Sequence, residues 1–179
     1  MEQGILVVSG IPGVGKSTIA SLIAHQLPRS AHIEAEALMR FVVGGAVRPG
    51  AEPHDEAMRQ LRLRGRQVAL LADSFFEAGF IPVIDDVVIG TRLGELRADL
   101  RGRPLFFVLL VPRLDVIRAR NRGRPGKDVF DAWKHLDAVA REETPRIGLW
   151  LDTSDQTPEE SATEVLRRVW SEGRTDSGR

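Results

Sequence analysis

The nine residues Gly10-Ile11-Pro12-Gly13-Val14-Gly15-Lys16-Ser17-Thr18 constrain this chain more than any other stretch. They satisfy G-x-x-x-x-G-K-[ST] from Gly10 to Ser17, a pattern that works only in one structural setting. A buried strand must precede it and a helix must follow. Both are legible. Ile5-Leu6-Val7-Val8 is a short apolar run of the kind buried on both faces of a sheet. Ile19, Leu22, Ile23 and Leu27 recur at helical spacing, and Pro28 stops the run. Glycines let such a loop curl so that backbone N–H groups point inward at phosphate oxygens. The helix behind it presents its positive end to the same anion. Gly10, Gly13, Val14, Gly15, Lys16, Ser17 and Thr18 are therefore expected to hold the phosphates of a nucleotide, with Lys16 on the outer phosphates and the Ser17 hydroxyl on Mg²⁺.

Beyond the loop, strand and helix signals alternate. A short strand is expected around His32-Ile33, then a helical stretch from about Glu36 to Val43. Gly44-Gly45 breaks it, and the segment to Pro53 reads as a loop. A long helix is expected from Asp55 to Ala78, with Met58, Leu61, Val68, Ala72 and Phe75 near its period and Gly79 at its end. Ile81 to Ile84 and Leu105 to Val111 read as buried strands. Leu114 to Arg122 reads as helix, broken by Gly123-Arg124-Pro125-Gly126. A helix containing Trp133 and Leu136 follows, then a last strand from Gly148 to Leu151. Thr157-Pro158 starts a final helix, with Thr157 as N-cap and Pro158 at its first position. Such alternation implies a parallel sheet with helices on both faces. Residues 1–171 are expected to form one domain and 172–179 a flexible polar tail.

Composition narrows the chemistry. The 179 residues carry a net charge of zero and no cysteine. Disulfides, thiol catalysis and Cys-ligated zinc are excluded, and a dedicated nucleic-acid binder is disfavoured. The four histidines have no metal-ligand spacing. No apolar run is long enough to cross a membrane, and no signal-type segment opens the chain, which points to a cytoplasmic protein. Lysine occurs only three times, so its presence inside the loop is not accidental.

Three further features bear on what is done with the nucleotide. Asp85-Asp86 follows a buried strand directly, and ligands of open α/β sheets sit beyond such strand ends. A carboxylate there holds Mg²⁺ or caps the next helix; Asp85, first off the strand, is the metal candidate and Asp86 a substrate contact. Glu36 follows the second strand, where an acceptor hydroxyl would sit, and is the candidate base, with Glu34 as its competitor. Arg40 lies one helical turn on and either contacts the substrate or pairs with Glu36. Finally Arg118, Arg120, Arg122 and Arg124, with Lys127, form a basic cluster between glycines. Arg120 and Arg124 are expected to close over the transferring phosphoryl as part of a short lid; the plainer reading is a solvated basic helix.

At these residues the chain resembles the small P-loop kinases, and within them the chloramphenicol phosphotransferase-like group. Val83-Ile84-Asp85-Asp86-Val87 is similar to the Ile-Asp-Asp-Val stretch of that group. Leu151-Asp152-Thr153-Ser154 with Thr157-Pro158-Glu159 resembles the last strand and helix of many small-metabolite kinases, whose intervening loop packs near adenine. The resemblance covers almost the whole length. It implies a three-layer P-loop NTPase fold with a five-stranded parallel sheet of order 2-3-1-4-5, ATP and Mg²⁺ as cosubstrates, and an acidic base at Glu36, where the group usually has aspartate. The acceptor is expected to be a small molecule with a hydroxyl, lodged between the 44–53 loop and the long helix.

Other uses of the same fold are weighed against this. A GTPase would need an Asn-Lys-x-Asp guanine reader, and the only asparagine is Asn121. A polynucleotide 5′-hydroxyl kinase would use Arg59, Arg62 and Arg66 on one face of the long helix, but it lacks a basic net charge and an aromatic stacking platform; Trp133, Trp150 and Trp170 sit at positions that read as core. A nucleotide-dependent switch without a small acceptor would need no acceptor site at all.

Overall fold

The computed structural model describes residues 3–122 and 133–175. Five parallel strands form one sheet: β1 (Ile5–Ser9), β2 (Ser30–Glu34), β3 (Ile81–Asp85), β4 (Leu105–Leu110) and β5 (Leu149–Leu151), in the order β2-β3-β1-β4-β5. Every residue of β1, β3 and β4 is buried, as their unbroken apolar runs require of central strands covered on both faces. β2 and β5 are the edges. β2 accordingly buries only Ile33, with Ser30 and Ala31 half-buried and His32 and Glu34 exposed.

The helices are α1 (Lys16–Gln26), α2 (Ala35–Leu38), α3 (His54–Glu77), α4 (Thr91–Asp99), α5 (Leu114–Asn121), the short α6 (Leu136–Ala138) and α7 (Pro158–Glu172). The step from β1 to β2 runs one way along the sheet; the steps from β2 to β3 and from β3 to β4 run the other. Right-handed crossovers therefore put α1 on one face and α3 with α4 on the opposite face. α7 returns to pack beside α1, and α4 packs on α3, giving three layers. α7 begins as its sequence dictates. Thr157 Oγ1 accepts from Glu160 N–H at 3.2 Å, Glu160 Oε2 accepts from Thr157 N–H at 2.8 Å, and Pro158 takes the first turn.

Several elements depart from expectation. The helix anticipated from Glu36 to Val43 is a single α-turn, Ala35–Leu38, followed by a 3₁₀ turn, Met39–Phe41. Phe41 and Val43 are 74% and 94% exposed, so nothing packs against the segment to extend it. α4 was not anticipated, although Leu93, Leu96 and Leu100 bury on one side of it. The stripe of α3 that faces the sheet is Ala57, Arg64, Val68, Ala69, Ala72 and Asp73; Met58 and Phe75 are exposed. The helix expected around Trp133 and Leu136 is α6, which runs into a π-turn, Val139–Glu143.

The polar end of the chain is also engaged further than its composition indicates. β5 covers only Val108–Leu110 of β4. The remaining edge of β4 is covered by 173–175: Phe107 N–H donates to Gly173 O at 2.8 Å and Thr175 N–H donates to Leu105 O at 3.0 Å. A buried strand edge requires such partners, which is why the chain past α7 bonds to the sheet.

Candidate active site

The phosphate loop spans from the end of β1 to the start of α1. Gly10 and Gly13 are fixed as glycine by space as well as by backbone. At Gly10 a Cβ would lie 2.8 Å from Leu110 O and from Val14 Cγ2. Gly13 has φ +92° and a Cβ there would lie 2.2 Å from Asn121 Nδ2. Asn121, the last residue of α5, is thus packed directly against the loop. It is buried, and among the described residues its Nδ2 has no hydrogen-bond partner. Val14 is buried below the loop, while Ser17 and Thr18 are exposed above it. A curled backbone with an orphaned amide donor beside it suits a ligand rich in oxygen acceptors.

Lys16 Nζ donates to Ile11 O at 3.1 Å. Burial pushes its ammonium below the usual lysine value, and the charges of Asp85, Asp86 and Glu36 oppose that. Lys16 therefore lies within electrostatic reach of all three carboxylates. Asp85 ends β3, in register with Val8 of β1 and Glu34 of β2. Burial raises its carboxyl above the ordinary range; a hydrogen bond donated by the Ser17 hydroxyl and the charges of Lys16 and His32 pull the other way. His32 Nε2 lies 4.0 Å from Asp85 Oδ2. The two residues expected to hold the metal, Ser17 and Asp85, are hence neighbours.

Asp86 faces differently. Arg64 Nη2 donates to its Oδ1 at 2.6 Å, Arg92 Nη2 donates to its Oδ2 at 3.2 Å, and Val87 N–H donates to Oδ1 at 2.7 Å. Arg64 is only 8% exposed and Asp86 7%, so this is a buried ion pair joining β3 to α3. Asp86, expected to touch substrate, is not among the residues that line the cavity described next; Arg64 is. Ser9 fastens the same turn to β1: its hydroxyl donates to Val88 O and accepts from Val88 N–H, both at 2.9 Å.

A cavity of about 440 Å³ opens beside these groups. Glu36 and Arg40 border it from α2 and the 3₁₀ turn, Val47 and Arg48 from the following loop, and Arg64 and Gln67 from α3. The loop is held on α3 by Gln60, which accepts from Val47 N–H at 2.9 Å and donates to Gly45 O at 2.8 Å. Among the described residues Glu36 and Arg40 do not pair with each other. Trp133, read from sequence as core, covers this loop instead: a Cβ on Gly50 would meet its ring at 3.0 Å.

Arg120 reaches the phosphate loop at the carbonyl of Val14. It donates to Thr153 O at 2.6 Å, Gln156 O at 3.2 Å, Thr153 Oγ1 at 3.4 Å and Val14 O at 3.5 Å. It stitches the outer side of the phosphate loop to the β5–α7 loop. Arg113, bonded to Asp155 and Ser154, reinforces the same junction. Arg124, with the lid expected around it, lies outside the described residues. Of the α3 arginines weighed as a nucleic-acid face, Arg59 pairs with Glu56 and Arg62 with Asp99 and Glu95.

Arg64 and Arg92 are site residues that sequence reasoning passed over. Arg64 had a signal: it is a charged residue in an α3 stripe that, Asp73 apart, carries alanine and valine. Arg92 had none.

A parallel sheet of this order, a phosphate loop after its central strand and a carboxylate at the neighbouring strand end define a P-loop phosphotransferase. The profile of the chloramphenicol phosphotransferase-like proteins matches residues 3–170, and the chain belongs to that family. It is thereby a kinase that uses ATP on a small molecule. Among solved structures it is similar to a sugar kinase from Janibacter sp. HTCC2649, at 22% identity over 93% of this chain and 94% of that one, with a TM-score of 0.68. It is also similar to the tunicamycin resistance protein of Deinococcus radiodurans (20% identity, 97% and 98% covered, TM-score 0.64). A third likeness is to the APS kinase of Mycobacterium tuberculosis in complex with AMPPNP and APS (16% identity, 94% and 98% covered, TM-score 0.68). At such identities the likeness concerns the fold. No curated protein sequence matches the chain. No helix of the described residues is long and apolar enough to cross a membrane.

Proposed function

We propose that the enzyme transfers the γ-phosphoryl group of ATP to a hydroxyl group of a small molecule seated in the cavity beside Glu36. The observation that carries this reading is the double adjacency of Glu36. Its charge is felt by Lys16 of the phosphate loop, and its side chain borders the cavity. A carboxylate with that position aims an acceptor hydroxyl at the phosphoryl group and takes its proton.

In this reading the acceptor O–H gives its proton to the Glu36 carboxylate. The acceptor oxygen bonds to the γ-phosphorus as the bond to the β–γ bridging oxygen breaks, and ADP leaves with that electron pair. Lys16 offsets negative charge on the outer phosphates, and the amides of 13–18 hold the rest. Ser17 and Asp85 are the residues that would hold Mg²⁺, which when bound neutralises phosphate charge. Arg120 fixes the junction on which the base of the nucleotide would rest. Arg124 is assigned to the phosphoryl group on its sequence position alone. Arg40 is assigned to the acceptor.

The polynucleotide reading is weakened by the engagement of Arg59 and Arg62 with acids on the protein itself. A switch without an acceptor leaves the cavity unexplained. The solved relatives named above are a sugar kinase, a tunicamycin resistance protein and an APS kinase, so one fold serves different acceptors. The test is ADP release with ATP and Mg²⁺ across a panel of hydroxylated metabolites and antibiotics. Acceptor-dependent release is expected, lost in Lys16→Ala. Release that no acceptor stimulates, or that survives Lys16→Ala, sinks the reading.

A further inference from the structure

The wall of the acceptor cavity has an uneven charge. Its charged lining consists of Arg40, Arg48, Arg64 and Glu36, three cations against one anion, in a chain whose net charge is zero. The excess is not absorbed nearby. Among the described residues the guanidinium groups of Arg40 and Arg48 have no hydrogen-bond or ion-pair partner. Arg64 has Asp86, but Asp86 is shared with Arg92, so that cluster keeps a surplus positive charge. The Nε–H of Arg64 is buried without a partner. The one carboxylate of the cavity, Glu36, is committed in the function proposed above to the hydroxyl that reacts.

We infer that the acceptor carries an oxyanion, a carboxylate or a phosphate ester, at the end of the molecule remote from its reacting hydroxyl, and that Arg48 receives it together with Arg40. This rests on the kinase reading and names its substrate class. The physical reason is that an unpaired guanidinium in a partly closed cavity is stabilised by a fork of acceptor oxygens, which carboxylate and phosphate both present. A neutral polyol offers these guanidinium groups no counter-charge, and its hydroxyls make weaker hydrogen bonds to them than a carboxylate or phosphate does. Arg48 lies on the loop that Gln60 pins to α3, so the receiving group is presented from a supported backbone. Arg40, one turn from Glu36, is placed to steer the same anion past the base.

The experiment compares matched acceptors: sugar acids, sugar phosphates and their uncharged parent sugars, each assayed for ADP release with ATP and Mg²⁺. Wild-type enzyme is expected to prefer one anionic class over its neutral parent by tenfold or more in kcat/KM, on the order of what one charge-assisted hydrogen bond contributes. The carboxylate and phosphate arms tell the two sources of the oxyanion apart. In Arg40→Gln/Arg48→Gln the KM for the charged acceptor should rise about tenfold or more, and the charged-to-neutral ratio should fall towards one. Equal or better use of neutral parents, or an unchanged ratio in the double variant, overturns the inference and leaves the kinase reading standing. Binding is read separately by tryptophan fluorescence, because Trp133 covers the loop at Gly50. Charge-selective binding without ADP release would uphold the oxyanion site and sink the kinase reading. Silence in both assays overturns both.

Discussion

Removing either partner of the Arg64–Asp86 pair should destabilise the protein far more than removing any of its surface ion pairs. Breaking a buried pair costs about 3–5 kcal/mol, because the survivor is left charged and desolvated. The geometry orders the variants within that range. In Arg64→Met, Asp86 keeps Arg92 at 3.2 Å and the Val87 N–H at 2.7 Å. The expected loss is near the lower end, about 3 kcal/mol, or roughly 6–12 °C in melting temperature for a domain of this size. In Asp86→Ala, two guanidinium groups lose their only carboxylate. Arg92, with 19% of its side chain exposed, can turn to water, but Arg64 at 8% cannot. The loss should approach about 5 kcal/mol. The double variant removes the stranded charge as well, so its cost should fall short of the sum by about 2 kcal/mol. Urea unfolding followed by tryptophan fluorescence, on ligand-free protein, measures all three. Repeating it near 0.5 M salt separates a buried pair from a screened surface one, since the former should hardly change. A loss below about 1 kcal/mol for Arg64→Met, or additivity within about 0.5 kcal/mol, would refute the argument that this pair ties β3 to α3.

Glu36→Gln should keep nucleotide binding and lose transfer by about 10²–10⁴-fold, the usual contribution of a positioned base; full turnover would move the role to Glu34. Asp85 carries a carboxyl raised mainly by burial, so its protonated form is favoured in the fold. That contribution to stability is complete below the ordinary carboxylate range and is lost as pH rises through the raised value. Asp85→Asn should therefore raise the melting temperature of Mg²⁺-free protein at pH 7 while removing Mg²⁺-dependent turnover; a lowered melting temperature would contradict this. Gly13→Ala should cost at least about 1–2 kcal/mol from its φ of +92° and more from contact with Asn121, and should abolish ATP binding as read by titration calorimetry. Wild-type affinity in that variant would mean that the loop tolerates a side chain there.

The sheet was legible because its central strands carry unbroken apolar runs, and the order of those strands because a whole-length resemblance implied it. Where physical signals were local, they were also legible: the Thr157–Glu160 cap needs only residues three apart. What escaped was set by tertiary partners. Nothing local in Gly173, Arg174 or Thr175 indicates that β5 will be too short to cover β4. Nothing local marks Asn121 as buried; it is buried because α5 brings it against Gly13. Arg120 was expected to reach for phosphate because arginines commonly do. The carbonyl groups of Thr153 and Gln156, which its sequence position does not indicate, accept its hydrogen bonds.

The adjacent aspartates show most clearly how spacing becomes mechanism. Successive side chains at a strand end point to opposite sides of the sheet. Asp85 thus meets Ser17 and Lys16 on the side of the phosphate loop, and Asp86 meets Arg64 and Arg92 on the side of α3 and α4. Sequence alone assigns Asp85 to the metal and Asp86 to the substrate, without indicating the ion pair that holds Asp86. Their separation by one residue means that they cannot share one task. Arg64 in turn borders the cavity proposed for the acceptor, so the phosphate loop and that cavity are referenced to the same two residues of backbone. Phosphoryl transfer depends on holding donor and acceptor within roughly 3–3.5 Å of each other, and an error near 1 Å costs about 10²-fold. A link of two residues, fastened on one side by a buried ion pair and on the other by the Ser9–Val88 bonds, keeps that spacing more tightly than separate loops could.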